Sequence, residues 1–284
     1  MAEEGGRNQR HFVLVHGFGH GAWCWYKLVP LLRLAGHRVT AIDLAASGTN
    51  LTPLDDLNTD GVLDSIDDLK IGLNLYLIQF RNTKPLLDVL AAVPEGERVV
   101  LVGHSFGGVG LALAMETFPE KIAAAIFATA MMPSPSNSMA SIFEKLFEVG
   151  GSIEDIYLDS TVVDTQDQRG PLVTFGIQYL STRLYQLSPP QDLALATFLV
   201  RPGLLFVGDL SSNFTLTENN YGSVKRAFIV VKQDQAIVED FQLWMVEQSP
   251  PAKVKEIDCA DHMVMISKPN ELCNVLVEIA EELQ

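Results

Sequence analysis

Cysteine is scarce in this 284-residue chain. Cys24, Cys259 and Cys273 are odd in number, widely spaced and contain no CxxC pair. That argues against a disulfide framework and against a cysteine-built zinc site, and it fits reduced thiols in the cytoplasm. Basic residues are also few: 20 Lys and Arg stand against 35 Asp and Glu, for a formal charge of −15. Phosphate backbones and anionic membranes repel such a chain, so neither nucleic acid nor a membrane is an expected partner. No apolar run reaches the roughly 18 to 20 residues of a membrane span, and the polar opening MAEEGGRNQR leaves no room for a signal peptide. Charged residues make up only 19% of the chain against 48% hydrophobic, which argues against disorder and supplies one large core. Internal repeats and low-complexity tracts are missing.

What is present is alternation. His11 to His16 (HFVLVH), Arg38 to Leu44, Arg98 to Val102, Ile122 to Ala130, Val224 to Val231 and Val254 to Asp258 are short apolar runs that read as buried strands. Helical spacing covers Tyr26 to Leu34, Thr83 to Ala92 with Pro85 near its start, Gly107 to Thr117, Val238 to Gln248 and about Pro269 to Leu283. Strands alternating with helices call for an α/β fold, a mostly parallel sheet covered on both faces. Between Ala130 and Val224 the alternation stops. That stretch, about 131–223, is expected to be a mainly helical cap over the sheet's C-terminal edge, inside a single domain spanning 1–284.

Gly103-His104-Ser105-Phe106-Gly107 follows the third strand and opens a helix. It matches G-x-S-x-G, in which a serine sits on a tight strand-to-helix turn with its hydroxyl projecting from the sheet edge. Residues two positions away must be small to clear the neighbouring strand and helix. Ser105 is therefore the expected nucleophile, and the amide of Phe106 the first oxyanion donor. The glycine-rich loop His16-Gly17-Phe18-Gly19-His20-Gly21 follows the first strand, and the amide of Phe18 is the expected second donor. The loop has neither G-x-x-x-x-G-K-[ST] nor G-x-G-x-x-G spacing, which disfavours phosphate binding.

Of six histidines, His262 follows the last strand, where a general base can reach the sheet edge. His11 and His37 read as packing or surface residues, His16 as structural, His20 as a substrate contact, and His104 as a residue whose backbone matters more than its ring. The acid must orient His262. Asp234 closes the strand-like run KRAFIVVKQD and is the expected partner, with Asp209, Asp240, Asp258 and Asp261 as rivals.

Together, HFVLVHGFGHGAWCWYKLVPLL, AGHRVTAIDLAASG, VGHSFGG, YGSVKRAFIV and ADHMVM resemble the plant methylesterase and hydroxynitrile lyase family of α/β-hydrolases, which includes the salicylate-binding methylesterases and polyneuridine aldehyde esterase. The resemblance spans nearly the whole chain. It implies hydrolysis of small methyl esters without cofactor or metal, by a triad falling on Ser105, Asp234 and His262. The family's lyases carry a lysine directly after the histidine and a threonine at the position of Gly17. Met263 and Gly17 therefore point to ester hydrolysis over cyanohydrin cleavage. A triad-bearing small-molecule receptor is the remaining alternative. SFGG, AMETFPEKI and AMMP lean towards an alkaloid ester, beside plant-hormone methyl esters. The expected partner is a small-molecule ester, with His20, Met131, Tyr157 and Met263 as candidate contacts, and a homodimer is left open. The chain departs from the family pattern in an acidic-then-apolar insertion at about 55–82.

Overall fold

The computed structural model describes residues 9–57, 70–165, 170–205 and 215–283. Six strands form one parallel sheet: β1 (His11–Val15), β2 (Arg38–Ile42), β3 (Val99–Ser105), β4 (Ile122–Ala130), β8 (Arg226–Val231) and β9 (Lys253–Ile257), in the order β2-β1-β3-β4-β8-β9. The chain moves from β1 outward to β2, then crosses back to lay β3 on β1's other side. Beyond the carboxyl ends of β1 and β3 lies the crevice that such a reversal of strand order creates.

Side chains alternate across the sheet with period two. Phe12, Leu14, Val100, Val102, Ile126 and Ile229 pack on one face against α1 (Leu28–Leu34) and α10 (Pro269–Glu282). Val13, Val15, Leu101, Phe127 and Phe228 pack on the other, against α2 (Lys70–Ala91), α3 (Gly107–Thr117) and α8 (Glu239–Gln248). A sheet buried on both faces explains why its strands read as continuous apolar runs.

The helix expected to begin at Thr83 instead begins at Lys70 and carries Pro85 inside it. An interior proline costs a helix about 3 kcal/mol. Here Leu86, Leu87 and Leu90 are buried in the core beyond it and hold the continuation. Residues 58–69 of the expected insertion lie outside the described residues; of its remainder, 55–57 form part of a short 3-10 turn and 70–82 begin α2.

Between β4 and β8 lies the cap. It contains α4 (Met139–Gly150), α5 (Ile153–Tyr157), α6 (Ile177–Tyr179) and α7 (Pro190–Leu199). Among the described residues the cap is mainly helical, as expected, and it adds an unexpected antiparallel three-stranded sheet, β5 (Thr161–Val163), β6 (Leu172–Thr174) and β7 (Gly203–Leu204). These strands are two or three residues long, too short for a period-two pattern to show. The last helical element before α10 is the short α9 (Val264–Ser267), directly after His262.

Candidate active site

Ser105 is the last residue of β3 and has φ +55°, a left-handed backbone that a side chain adopts at a cost of about 1–3 kcal/mol. The flanking glycines make this turn possible. A Cβ on Gly107 would stand 2.7 Å from the carbonyl oxygens of Val15 and His16, and one on Gly103 2.9 Å from the Leu111 side chain of α3. On the opposite wall, a Cβ on Gly17 would lie 2.7 Å from the Cβ of Ser105, so the loop after β1 rests directly against the serine.

Asp234 follows β8 and is 1% exposed. Its Oδ1 accepts the amides of Ala236 at 2.7 Å and Ile237 at 2.8 Å. Its Oδ2 accepts the Thr129 hydroxyl at 2.5 Å and Nδ1–H of His262 at 2.7 Å. Four donors thus fix the carboxylate, and the carboxylate fixes the imidazole's tautomer with Nε2 left as the acceptor. His262 and Ser105 line one cavity together with Gly17, Phe18, Phe106 and His104. The amides of Phe18 and Phe106 donate to no group among the described residues. A developing oxyanion requires such unpaired N–H donors near the nucleophile, and Phe18, Phe106 and Ser105 line the same cavity.

The rival acids sit elsewhere. Asp240 is in the first turn of α8, and Asp258 is exposed, 3.9 Å from the Lys232 ammonium. Asp261 is buried, but its Oδ2 accepts the Leu187 amide and the Ser188 hydroxyl, which ties the cap to the histidine loop. Asp209 lies outside the described residues.

Of the expected contacts, His20, Met131 and Tyr157 line the cavity. Met263 does not. It is fully buried in the core cluster on the α1 and α10 face, and its amide reaches the Leu184 carbonyl. The His104 ring, expected to matter less than its backbone, lines the cavity and donates from Nε2 to the His262 carbonyl at 2.8 Å. Thr129 carried no signal in the sequence, because a threonine at a strand end is ordinary. Only the paired structure shows its hydroxyl on Asp234.

Three further histidines are held neutral. Burial drives the pKa of His20 down to about 3, lowers that of His16, and pushes that of His104 well below its usual value. His20 Nδ1 lies 2.9 Å from the Phe18 carbonyl and Nε2 2.8 Å from the Tyr185 hydroxyl, and in the neutral ring Nδ1–H donates to the carbonyl while Nε2 accepts from the hydroxyl. An unfolded histidine binds a proton below about pH 6.5 that these folded ones refuse. Stability is therefore fully present above about pH 6.5 and is lost as pH falls below it. Each ring contributes a slope of at most about 1.4 kcal/mol per pH unit. Asp261, raised by burial, opposes this loss at lower pH. Thermal unfolding followed by circular dichroism is expected to show a steep fall in Tm from pH 7 to pH 5. A flat profile would contradict the neutral, buried assignment.

Among the described residues, no three His, Cys, Asp or Glu side chains converge as a metal site.

Residues 12–275 match the model of the alpha/beta hydrolase family. The chain belongs to that family. It is 45% identical to a probable esterase, PIR7A, of Oryza sativa subsp. indica over 98% of both chains. It is 44% identical to polyneuridine aldehyde esterase of Rauvolfia serpentina over 97% of both, and 43% identical to methyl jasmonate esterase 1 of Vitis vinifera over 97% of this chain and 98% of the relative. The crystal structure of polyneuridine aldehyde esterase superposes on this hydrolase with a TM-score of 0.85, covering 96% of this chain and 100% of that one. Among the hydrolase's described residues, no helix is long and apolar enough to cross a membrane.

Proposed function

We propose that the protein is a serine carboxylesterase that cleaves small, largely apolar methyl esters, with Ser105 as nucleophile, His262 as general base and Asp234 as the acid that orients it. The observation that carries this is that His262, held through Nδ1 by the buried Asp234, lines the same cavity as the strained Ser105 and as Phe18 and Phe106.

In the proposed reaction, Nε2 of His262 takes the Ser105 proton as Oγ attacks the ester carbonyl. The amides of Phe18 and Phe106 hold the oxyanion, each worth about 3 kcal/mol in such sites. Collapse breaks the acyl–oxygen bond, and methanol leaves with the proton from His262. Water then repeats the sequence on the acyl-enzyme and releases the acid. The esterase names of the relatives support this class, and the ligand proposed is a plant-hormone or alkaloid carboxymethyl ester.

Cyanohydrin cleavage is disfavoured because Met263 is neutral and packed in the core, where it offers departing cyanide no charge. The three thiols are free, and Cys24 and Cys273 are buried, which supports a reducing compartment such as the cytoplasm.

The test is methanol release from a panel of methyl esters by purified protein. Many turnovers on at least one aromatic, oxylipin-type or alkaloid-type ester are expected, with no cyanide from mandelonitrile. A single slow turnover with retained product would instead favour a receptor.

A further inference from the structure

The cavity at Ser105 holds about 30 Å³ of free volume. At ~10–15 Å³ per water, that is room for about two waters. A second cavity of about 210 Å³ adjoins it, and the two share Leu146, Ile156, Tyr179 and Ala236 as lining residues. These side chains form the boundary between the cavities. Of the cavities that share lining residues with the one at Ser105, this is the roomier, which makes it the candidate space for an acyl group.

The larger cavity is walled mainly by apolar side chains and holds one cation, Arg183. Arg183 is half-buried, yet it makes no hydrogen bond and no ion pair among the described residues. Elsewhere in this acidic protein, Lys27, Lys84, Lys145 and Lys255 each hold a carboxylate. The one carboxylate lining the cavity, Asp155, accepts the Ser152 amide on Oδ2 at the start of α5 and makes no ion pair with Arg183. Beside Arg183, the Tyr179 hydroxyl also has no partner among the described residues. Burial raises that phenol's pKa, and the Arg183 charge is near enough to oppose the rise. A guanidinium and a phenol, each without a partner among the described residues, thus line this cavity as donors, and its side-chain acceptors are Asp155 and the Gln235 amide.

We propose that this cavity selects esters whose acyl part is an elongated apolar body ending, far from the ester, in an oxygen acceptor, a carboxylate or a ketone, received by Arg183 and the Tyr179 hydroxyl. The inference rests on the esterase proposal for the chemistry at Ser105, but not for the binding.

The test has a binding arm and a turnover arm. Calorimetry measures the affinity of wild type, Arg183→Met and Tyr179→Phe for inert N-methyl amides of straight-chain acids of four to ten carbons. These amides end in a methyl, a methyl ketone or a carboxylate. Wild type is expected to bind the best carboxylate or ketone amide at least about 10-fold tighter than its methyl-terminated match, as a charge-assisted hydrogen bond gives. Arg183→Met is expected to erase the carboxylate preference, and Arg183→Lys to restore part of it. Tyr179→Phe is expected to reduce the ketone preference. The matched methyl esters are expected to show the same ratios in KM, with kcat little changed. No preference in wild type, or a preference that survives Arg183→Met, overturns the inference even if every ester is hydrolysed. A preference in binding with no hydrolysis of any ester would uphold the cavity's selectivity and remove the esterase proposal instead.

Discussion

Ser105→Ala is expected to lower kcat on a good methyl ester by about 10⁶-fold, with KM within a few-fold of wild type. The magnitude follows from the role proposed for the hydroxyl. Without Oγ no acyl-enzyme forms, and His262 has no bound nucleophile to deprotonate. What remains is the cavity and its two amides, which in such sites retain a residual 10³–10⁴-fold over water. Alanine fits the site, because Ser105 sits in a turn whose clearance is set by Gly17, Gly103 and Gly107 and not by the hydroxyl. Steady-state methanol release is the measurement. Activity within 100-fold of wild type would take Ser105 out of the covalent path.

Asp234→Asn is expected to lower kcat by about 10⁴-fold without unfolding the protein. The hydrogen bonds decide which way the new amide turns. Oδ1 receives two backbone N–H groups, from Ala236 and Ile237, so the amide oxygen must stay there. The amide nitrogen then faces His262 Nδ1 and the Thr129 hydroxyl. An N–H pointing at Nδ1 makes that nitrogen an acceptor and moves the ring proton to Nε2. The histidine is then held in the tautomer that cannot accept a proton from serine. Flipping the amide would instead set its nitrogen against two backbone donors. The checks are kcat, which should fall, and near-ultraviolet circular dichroism, which should not change. Activity close to wild type would mean that another group orients His262.

The sheet and the three proposed catalytic side chains were legible in the sequence because each leaves a short-range trace. Strands buried on both faces are apolar without interruption, and the strand read from Ile122 to Ala130 is observed with those bounds. The turn at Ser105 needs glycines at fixed offsets. Asp234 and His262 each follow a strand, so strand ends located them. The features that were not legible depend on distant partners. Pro85 reads as a helix start until Leu86 and Leu90 are seen buried in the core. The cap sheet is paired over gaps that no local pattern records. Met263 adjoins His262 in sequence, yet the chain entering α9 directs its side chain into the core. Thr129 lies 105 residues from Asp234, and Arg183 is notable only for the partner it lacks.

The most direct test of the central claim is covalent labelling with an aryl phosphonate, read by peptide mass spectrometry alongside residual esterase activity. One adduct per chain is expected, on the peptide carrying Ser105, with activity falling in proportion to labelling and no adduct forming in His262→Ala. Full activity with Ser105 unlabelled, or complete labelling of Ser105 without loss of turnover, would contradict it.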